Sequence, residues 1–201
     1  MIVFNAPGSM VTFYATAVPN TQDHYKFISW DQGGSPVEPG KVTSNLTFNA
    51  NFDLVVHTIT FVANPSNLGR VDQTTISAHH GSTWAIDGTD KNKVNVTEIK
   101  GGSQQSATAT ANEHVEFVDW YIDGSETPVS GIQTLESDIT VVAKFKYVNV
   151  TVTLATANTS KGHVGHRQGT GDSVNFVVPY NSTFKITENT GYVQFSTSTQ
   201  D

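Results

Sequence analysis

The sequence predicts a mainly β fold built from tandem small β modules with little helix. Apolar and polar residues alternate along most of its 201 residues, whereas apolar residues at helical spacing are nearly absent. Short clusters of Gly, Asn, Asp, Ser and Pro interrupt the alternating runs and are typical of turns. The same order of strand motifs also occurs more than once, which indicates an internal repeat.

Two segments, LTFNANF and ITVVAKF, alternate strictly and are predicted to form half-buried strands. Further β-rich runs are TITFVA, VTVTLATA, SVNFVV and YVQFST, which begin at Thr58, Val150, Ser173 and Tyr192. The window GSTWAIDG is too short for a helix, so at most one or two short helical turns are expected. The inward residues of the two alternating strands are predicted to be Leu46, Phe48, Ala50 and Phe52, and Ile139, Val141, Ala143 and Phe145.

An internal repeat relates residues that lie 90 to 100 positions apart. The displacement changes only at the turn-forming segments, which is what loop insertions between fixed strands produce. The matching pairs are Phe27/Trp30 with Phe117/Trp120 at 90 positions, Ala50-Asn51-Phe52 with Ala143-Lys144-Phe145, Thr58 with Thr151 and Gly69 with Gly162 at 93, and Ser82-Thr83-Trp84 with Ser182-Thr183-Phe184 at 100.

The repeat divides the chain into the C-terminal part of one repeat (1–56), one complete repeat (57–147) and the N-terminal part of a further repeat (148–201). A half repeat cannot bury its own strands, which leaves two solutions. The folding units are out of phase with the repeat, about 1–97 and 98–201, or residues 148–201 of one copy complete residues 1–56 of the next. We favour the first, because VNVTEIKGGS aligns with MIVFNAPGS and gives each unit an opening strand.

Aromatic residues at repeated positions are the candidate core. In a regular strand, residues three apart face opposite sides, so Phe117 and Trp120 share a core only at a bulge or a strand end. We expect Phe117 inside and Trp120 capping the core at its edge; the alternative, a sugar-stacking platform, requires an exposed ring. The predicted core aromatics are Phe27, Trp30, Phe52, Trp84, Phe117, Trp120, Phe145 and Phe184.

Several short motifs follow one another in a fixed order: Gly-x-Val at Gly69 and Gly162, a Gly-Ser-Thr-aromatic strand start, Ala-Thr-Ala, Phe-x-x-Trp, a Gly-rich loop and a closing Thr-x-x-Ala-x-Phe. This order resembles the divergent internalin B-repeat family of bacterial surface proteins. The complete repeat departs from the family by its extra segment DGTDKNKVNVTEIKGGSQQ. The resemblance implies a β-grasp-like or related small β module, such as a compact β-sandwich, strung in tandem between a cell-wall anchor and an exposed head. It implies no catalytic residue.

Composition argues against several functions. A formal charge of -7 with only 14% charged residues argues against nucleic-acid binding. The lack of cysteine excludes disulfides, thiolate metal sites and cysteine nucleophiles. No apolar stretch reaches the ~18 residues that a membrane helix requires, so no membrane insertion is expected. His79-His80 and His163-x-x-His166 are interpreted as solvent-facing loop residues, and we expect no metal, no cofactor and no enzymatic activity.

The favoured function is a non-catalytic stalk or spacer module of an extracellular protein at the bacterial cell surface or cell wall, acting in adhesion. Its partners would be neighbouring repeats of the same parent chain. One alternative is an adhesin module that binds a host protein or glycan, for which an exposed aromatic cluster would be the sign. The other is a self-assembling filament subunit that exchanges strands between copies.

Overall fold

The computed structural model of the chain describes residues 12–21, 24–157, 164–166, 169–171 and 173–185. All regular structure in these ranges is β-strand, which confirms the predicted mainly β fold. Within them there is accordingly no helix with the length and apolar character needed to cross a membrane. The strand predicted from Tyr192 lies outside the described residues.

The strands fall into three groups along the chain, which we call the first, central and last units. The first unit contains β1 (Tyr25–Gln32), β2 (Ser35–Pro36) and β3 (Asn49–Leu54). The central unit contains β4 (Val56–Asn64), β5 (Gly69–Val71), β6 (Thr75–His79), β7 (Thr83–Ile86), β8 (Lys93–Thr97), β9 (Gln104–Ala111), β10 (Val115–Ile122), β11 (Gln133–Thr134) and β12 (Ile139–Tyr147). The last unit contains β13 (Asn149–Ala155), β14 (Val164–His166), β15 (Gly169–Gly171) and β16 (Ser173–Pro179).

Two sheets enclose the core of the central unit. One has the strand order β10-β12-β4-β6 and the other β11-β7-β8-β9-β5. Apolar side chains from both sheets form one buried cluster, and no helix packs on either sheet within residues 57–147. Of the two forms that the resemblance implies, the central unit therefore has the compact β-sandwich. The buried cluster includes Ile59, Phe61, Ile76, Phe117, Trp120, Val141, Ala143 and Phe145 from the first sheet and Trp84, Val94, Val96, Ala107 and Ala109 from the second.

A β-bulge in β10 turns both Phe117 and Trp120 into this core. The register of β10 against β12 shifts between Phe117 and Asp119, which places Phe117 opposite Phe145 and Trp120 opposite Ala143. The extra residue changes the inward parity, so side chains three apart point the same way. Trp120 is wholly buried, which corrects the expectation that it caps the core at its edge.

The first and last strands of the central unit pair in parallel. Ile139 of β12 lies opposite Ile59 of β4, and the register continues to Lys144 opposite Asn64. The chain enters the unit at the start of β4 and leaves it at the end of β12. Because the two strands are parallel and each has nine residues, entry and exit lie at opposite ends of a sheet roughly 30 Å long.

The first unit repeats part of this sheet but leaves its apolar side chains open. β1 pairs with β3 through the same kind of bulge, between Phe27 and Ser29. Phe48 and Phe52 are each 40% exposed, and Leu46 is 38% exposed, although the alternation predicted all three inside. The prediction was wrong for the first unit because inward parity buries a side chain only if a second sheet covers it. Leu46 and Phe48 also precede β3 rather than lying in it.

In the last unit β13 pairs antiparallel with β16. These strands match the predicted runs from Val150 and Ser173. The domain boundaries along the chain remain a prediction, but the pairing of β4 with β12 is in phase with the sequence repeat. A boundary at 97/98 would divide β8 from β9, two strands that pair with each other from Lys93 to Thr97.

Candidate functional site

A single residue, Val55, connects the first unit to the central unit. Its N–H donates to the carbonyl of His24 at 2.8 Å, and its carbonyl accepts a hydrogen bond from the N–H of His80 at 2.7 Å. The rings of His24 and His80 stack beside it, with centroids 4.0 Å apart and planes at 23°. One linker residue is thus bonded to both units, and a stacked ring pair closes the junction.

Val148 connects the central unit to the last unit in the same way. Its N–H donates to the carbonyl of His114 at 3.0 Å, and its carbonyl accepts from the N–H of Tyr180 at 2.8 Å. The rings of His114 and Tyr180 stack with centroids 4.1 Å apart and planes at 19°. Both backbone bonds and the ring pair of the first junction therefore occur again.

The three parts of each junction follow the displacements of the sequence repeat. Val148 lies 93 positions after Val55, which is the displacement of the strands that flank them. His114 lies 90 positions after His24, and Tyr180 lies 100 positions after His80, as the neighbouring motifs do. The junction is hence part of the repeat itself and not a contact between unrelated surfaces.

The turn that carries the second ring is also repeated. Gly81 has φ +85° and Asn181 has φ +67°, so the residue after His80 or Tyr180 is left-handed in both junctions. Gly and Asn are the residues that adopt this conformation at least cost. The same turn places the N–H of Ser82 3.0 Å from the carbonyl of His79; in the last unit, the N–H of Ser182 donates to the carbonyl of Pro179.

The first junction has a histidine cluster that the second lacks. His57 Nε2 lies 3.2 Å from His80 Nδ1, and His57 Nδ1 lies 3.7 Å from Asp138 Oδ1. At the position equivalent to His57 the last unit has Val150. Because the rings of His24 and His80 are stacked, their nitrogen atoms do not point toward a shared metal position. In the described part of the chain no group of three or more His, Asp or Glu side chains is arranged to hold a metal ion.

A carboxylate network supports the His79–Ser82 turn from inside. Glu98 accepts hydrogen bonds from the N–H of His79 at 3.2 Å and from Oγ of the wholly buried Ser82 at 3.0 Å. Burial alone would raise the pKa of the Glu98 carboxyl, but hydrogen bonds from His79, the Lys100 N–H and Ser82 outweigh it and hold that pKa below its ordinary value. The Lys100 side chain forms an ion pair with Asp53 of β3, a further link between the first and central units.

The prediction that His79 and His80 are solvent-facing loop residues was wrong. His79 lies at the end of β6, where its Nδ1 is 3.1 Å from Oε1 of Glu98, and His80 belongs to the junction. Neither is a solvent-facing loop residue, because each packs against a partner fixed by the sheets. His163 lies outside the described residues, and His166 is in β14.

The eight predicted core aromatics divide between two environments. Those of the central unit are buried, whereas Phe27 is 38% exposed, Phe52 is 40% exposed, Phe184 is 58% exposed and Trp30 is partly exposed. The exposed ones therefore do not lie in a core of the kind predicted. The buried four are Trp84, Phe117, Trp120 and Phe145.

Reasoning from the sequence missed the junction residues. Val55 and Val148 are single apolar residues beside strands, and nothing in their type marks them. The available signal was positional, because each precedes its repeat's opening strand at the displacement of 93.

Comparison of the chain with protein-family models, with curated proteins and with solved structures gave no match.

Proposed function

We propose that the chain is a non-catalytic repeat module that acts as a stalk or spacer in adhesion, in a protein at the surface or cell wall of a bacterium. The observation that carries this proposal is the junction that occurs twice with the same backbone hydrogen bonds and the same ring stacking. A repeated junction gives each unit the same orientation relative to the one before it, as in solenoid and array proteins.

The strand order supports the same role. A spacer needs its entry and exit points far apart, so that each added unit adds length. The parallel pairing of β4 with β12 places those points at opposite ends of the central sheet. A pair of antiparallel terminal strands would have brought them to the same end and given no extension per unit.

The linker length supports it as well. With one residue between β3 and β4, and one between β12 and β13, the chain has little freedom to reorient at either junction. Both polar backbone groups of Val55 and of Val148 are also occupied. Each unit is thereby held by its neighbour instead of swinging on a flexible tether.

Small-angle X-ray scattering tests the proposal on the 201-residue chain. One variant has Gly-Ser-Gly-Ser inserted after Val55, and a matched control has the same four residues after Gly102, in the loop between β8 and β9. At protein concentrations low enough to keep the chain monomeric, the unmodified chain and the control should give one well-defined maximum dimension. The Val55 insertion should broaden the distance distribution. Equal profiles for all three proteins would contradict the spacer proposal.

An adhesin module that binds a host glycan is the second candidate. It is favoured by the exposed aromatic cluster of the first unit, in which the Phe27 ring lies 5.9 Å from Trp30 and 6.0 Å from Phe52. The spacer is preferred because the equivalent residues of the central unit are buried core. Glycan-array binding that is lost in Phe27→Ala and kept in Ile132→Ala, a substitution at a side chain 75% exposed elsewhere, would reverse this preference.

A further inference from the structure

The first and last units contain complementary halves of the central sheet. By the repeat displacements, β1 and β3 correspond to β10 and β12, while β13 and β16 correspond to β4 and β6. The central sheet joins these two pairs by the parallel contact between β12 and β4. Among the described residues, β3 pairs only with β1, and β13 pairs only with β16, so the edge equivalent to that contact is open on both strands.

β3 begins later than its counterpart β12, and the missing residues include two that in β12 pair only with β4. β12 begins at Ile139, whereas β3 begins at Asn49, three positions later in the repeat than its counterpart. In β12, Ile139 and Thr140 pair with β4 and have no partner in β10. The equivalent residues, Leu46 and Thr47, have no such partner and no strand structure. They are the segment that a strand equivalent to β4 would order.

The side chains beside this edge are exposed where their counterparts are buried. Phe48 is 40% exposed and Phe52 is 40% exposed, while their counterparts Val141 and Phe145 are 0% and 5% exposed. The face is thus a core face without its cover. Such a face next to an open strand edge favours pairing with another chain.

We propose that the last unit of one copy completes the first unit of the next, with β3 and β13 paired in parallel to form a four-stranded sheet of order β1-β3-β13-β16. A second copy is the occupant that the structure favours, because it carries counterparts of both missing strands, β4 and β6. The contact is head to tail and extends into a chain of copies. This goes beyond the spacer role, which concerns the junctions within one molecule.

The central sheet also gives the register of the new contact. Displaced by 93 positions, the pairing of Ile139 with Ile59 becomes Leu46 with Val152, and the following inward pair becomes Phe48 with Leu154. Apolar residues thereby meet apolar residues on the inner face. A slip by one residue would place this apolar set on the outer face, so the proposed register is specific.

Disulfide cross-linking tests the register, and the absence of native cysteine makes the experiment clean. Asn49 and Ala155 are exposed and lie opposite each other in the proposed pairing. The variant Asn49→Cys/Ala155→Cys should form a ladder of covalent multimers on mild oxidation. In the control Asn49→Cys/Thr153→Cys, a two-residue offset separates the Cα atoms by about 8 Å, beyond the ~7 Å limit for a disulfide, so it should remain mostly monomeric.

Three cross-linking results would overturn the proposal. Equal cross-linking of both variants would show random collision. A cross-linked species at the monomer position would show pairing within one molecule. No cross-linking would mean that these strands pair with another partner or with neighbouring repeats of a longer chain. Light scattering of the unmodified protein should show masses at multiples of 21.7 kDa as concentration rises. A mass fixed at 21.7 kDa at every concentration would also overturn the proposal.

A substitution pair separates assembly from folding. Phe48→Asp should abolish the multimers, because it replaces the apolar partner of Leu154 in the proposed register with a charge. Ile132→Asp changes a side chain 75% exposed in the central unit and should leave them intact. Multimers that survive Phe48→Asp, with the thermal transition of the central unit unchanged in both proteins, would contradict the proposed interface.

Discussion

Replacement of Trp120 by alanine is the strongest perturbation that the central unit offers. The indole is wholly buried, and its ring packs edge-on against Phe61 at 5.8 Å and at a tilt against Phe117 at 5.6 Å. In the described part of the chain its buried Nε1 has no hydrogen-bond partner. The substitution therefore removes packing and no hydrogen bond, and it also removes a buried N–H donor.

The expected loss follows from the size and depth of the side chain. Truncation of a buried Trp or Phe to Ala costs about 3–5 kcal/mol in free energy of unfolding. In a domain of under 100 residues, 1 kcal/mol corresponds to a shift of about 4–8 °C in Tm, so the variant should melt roughly 12–40 °C lower. Trp30 is the matched control: it occupies the equivalent position in the first unit but is partly exposed, and Trp30→Ala should cost less than half as much.

Thermal unfolding followed by far-UV circular dichroism, with urea unfolding as a second measure, gives both quantities. The two tryptophan variants should be compared at one low protein concentration, so that association does not contribute. A Trp120→Ala protein that melts within 2–3 °C of the unmodified chain, which corresponds to less than about 1 kcal/mol, would refute the placement of this ring in the core. Equal losses for both variants would refute the difference in burial between the two units.

Two further predictions concern the central unit. Gly69→Ala should lower its free energy of unfolding by about 1–3 kcal/mol in urea, because an added Cβ would lie 2.5 Å from two ring carbons of Phe145. The control Gly88→Ala should be neutral, because a Cβ there meets nothing within 4 Å. Glu98→Gln should make the free energy of unfolding fall less steeply as the pH is lowered. The folded pKa of Glu98 lies below its ordinary value of about 4.3, so its contribution is complete above that pH and disappears as the pH falls toward the folded pKa. Unfolding free energies from pH 3 to 7 that fall equally in both proteins would contradict this role of Glu98.

Alternation and repetition were enough to predict the fold class and five of the described strands, β3, β4, β12, β13 and β16, from the sequence. The inner face of β12, with Val141, Ala143 and Phe145 buried, follows directly from its parity. The same parity misjudged Phe48 and Phe52, since burial depends on a covering sheet that a local pattern does not encode. The position of Trp120 depended on a bulge between Phe117 and Asp119, whose presence the alternation pattern does not establish.

The junctions were harder to predict, for a different reason. The contacts of Val55 and Val148 are made by backbone atoms, which every residue except proline possesses, so side-chain chemistry gives no signal. The stacked rings differ in kind, His80 in one junction and Tyr180 in the other, and motif comparison does not match them. Only the constant displacements of the repeat connect these positions.

We infer that the two junctions hold neighbouring units in the same orientation. Pulsed electron–electron double resonance measures this directly on the cysteine-free chain, with spin labels at Lys26→Cys/Ser77→Cys across the first junction. The second junction is measured with labels at Glu116→Cys/Val177→Cys, the equivalent positions by the displacements of 90 and 100. Our interpretation requires two narrow distance distributions with the same mean. A broad distribution at either junction, or two different means, would contradict it.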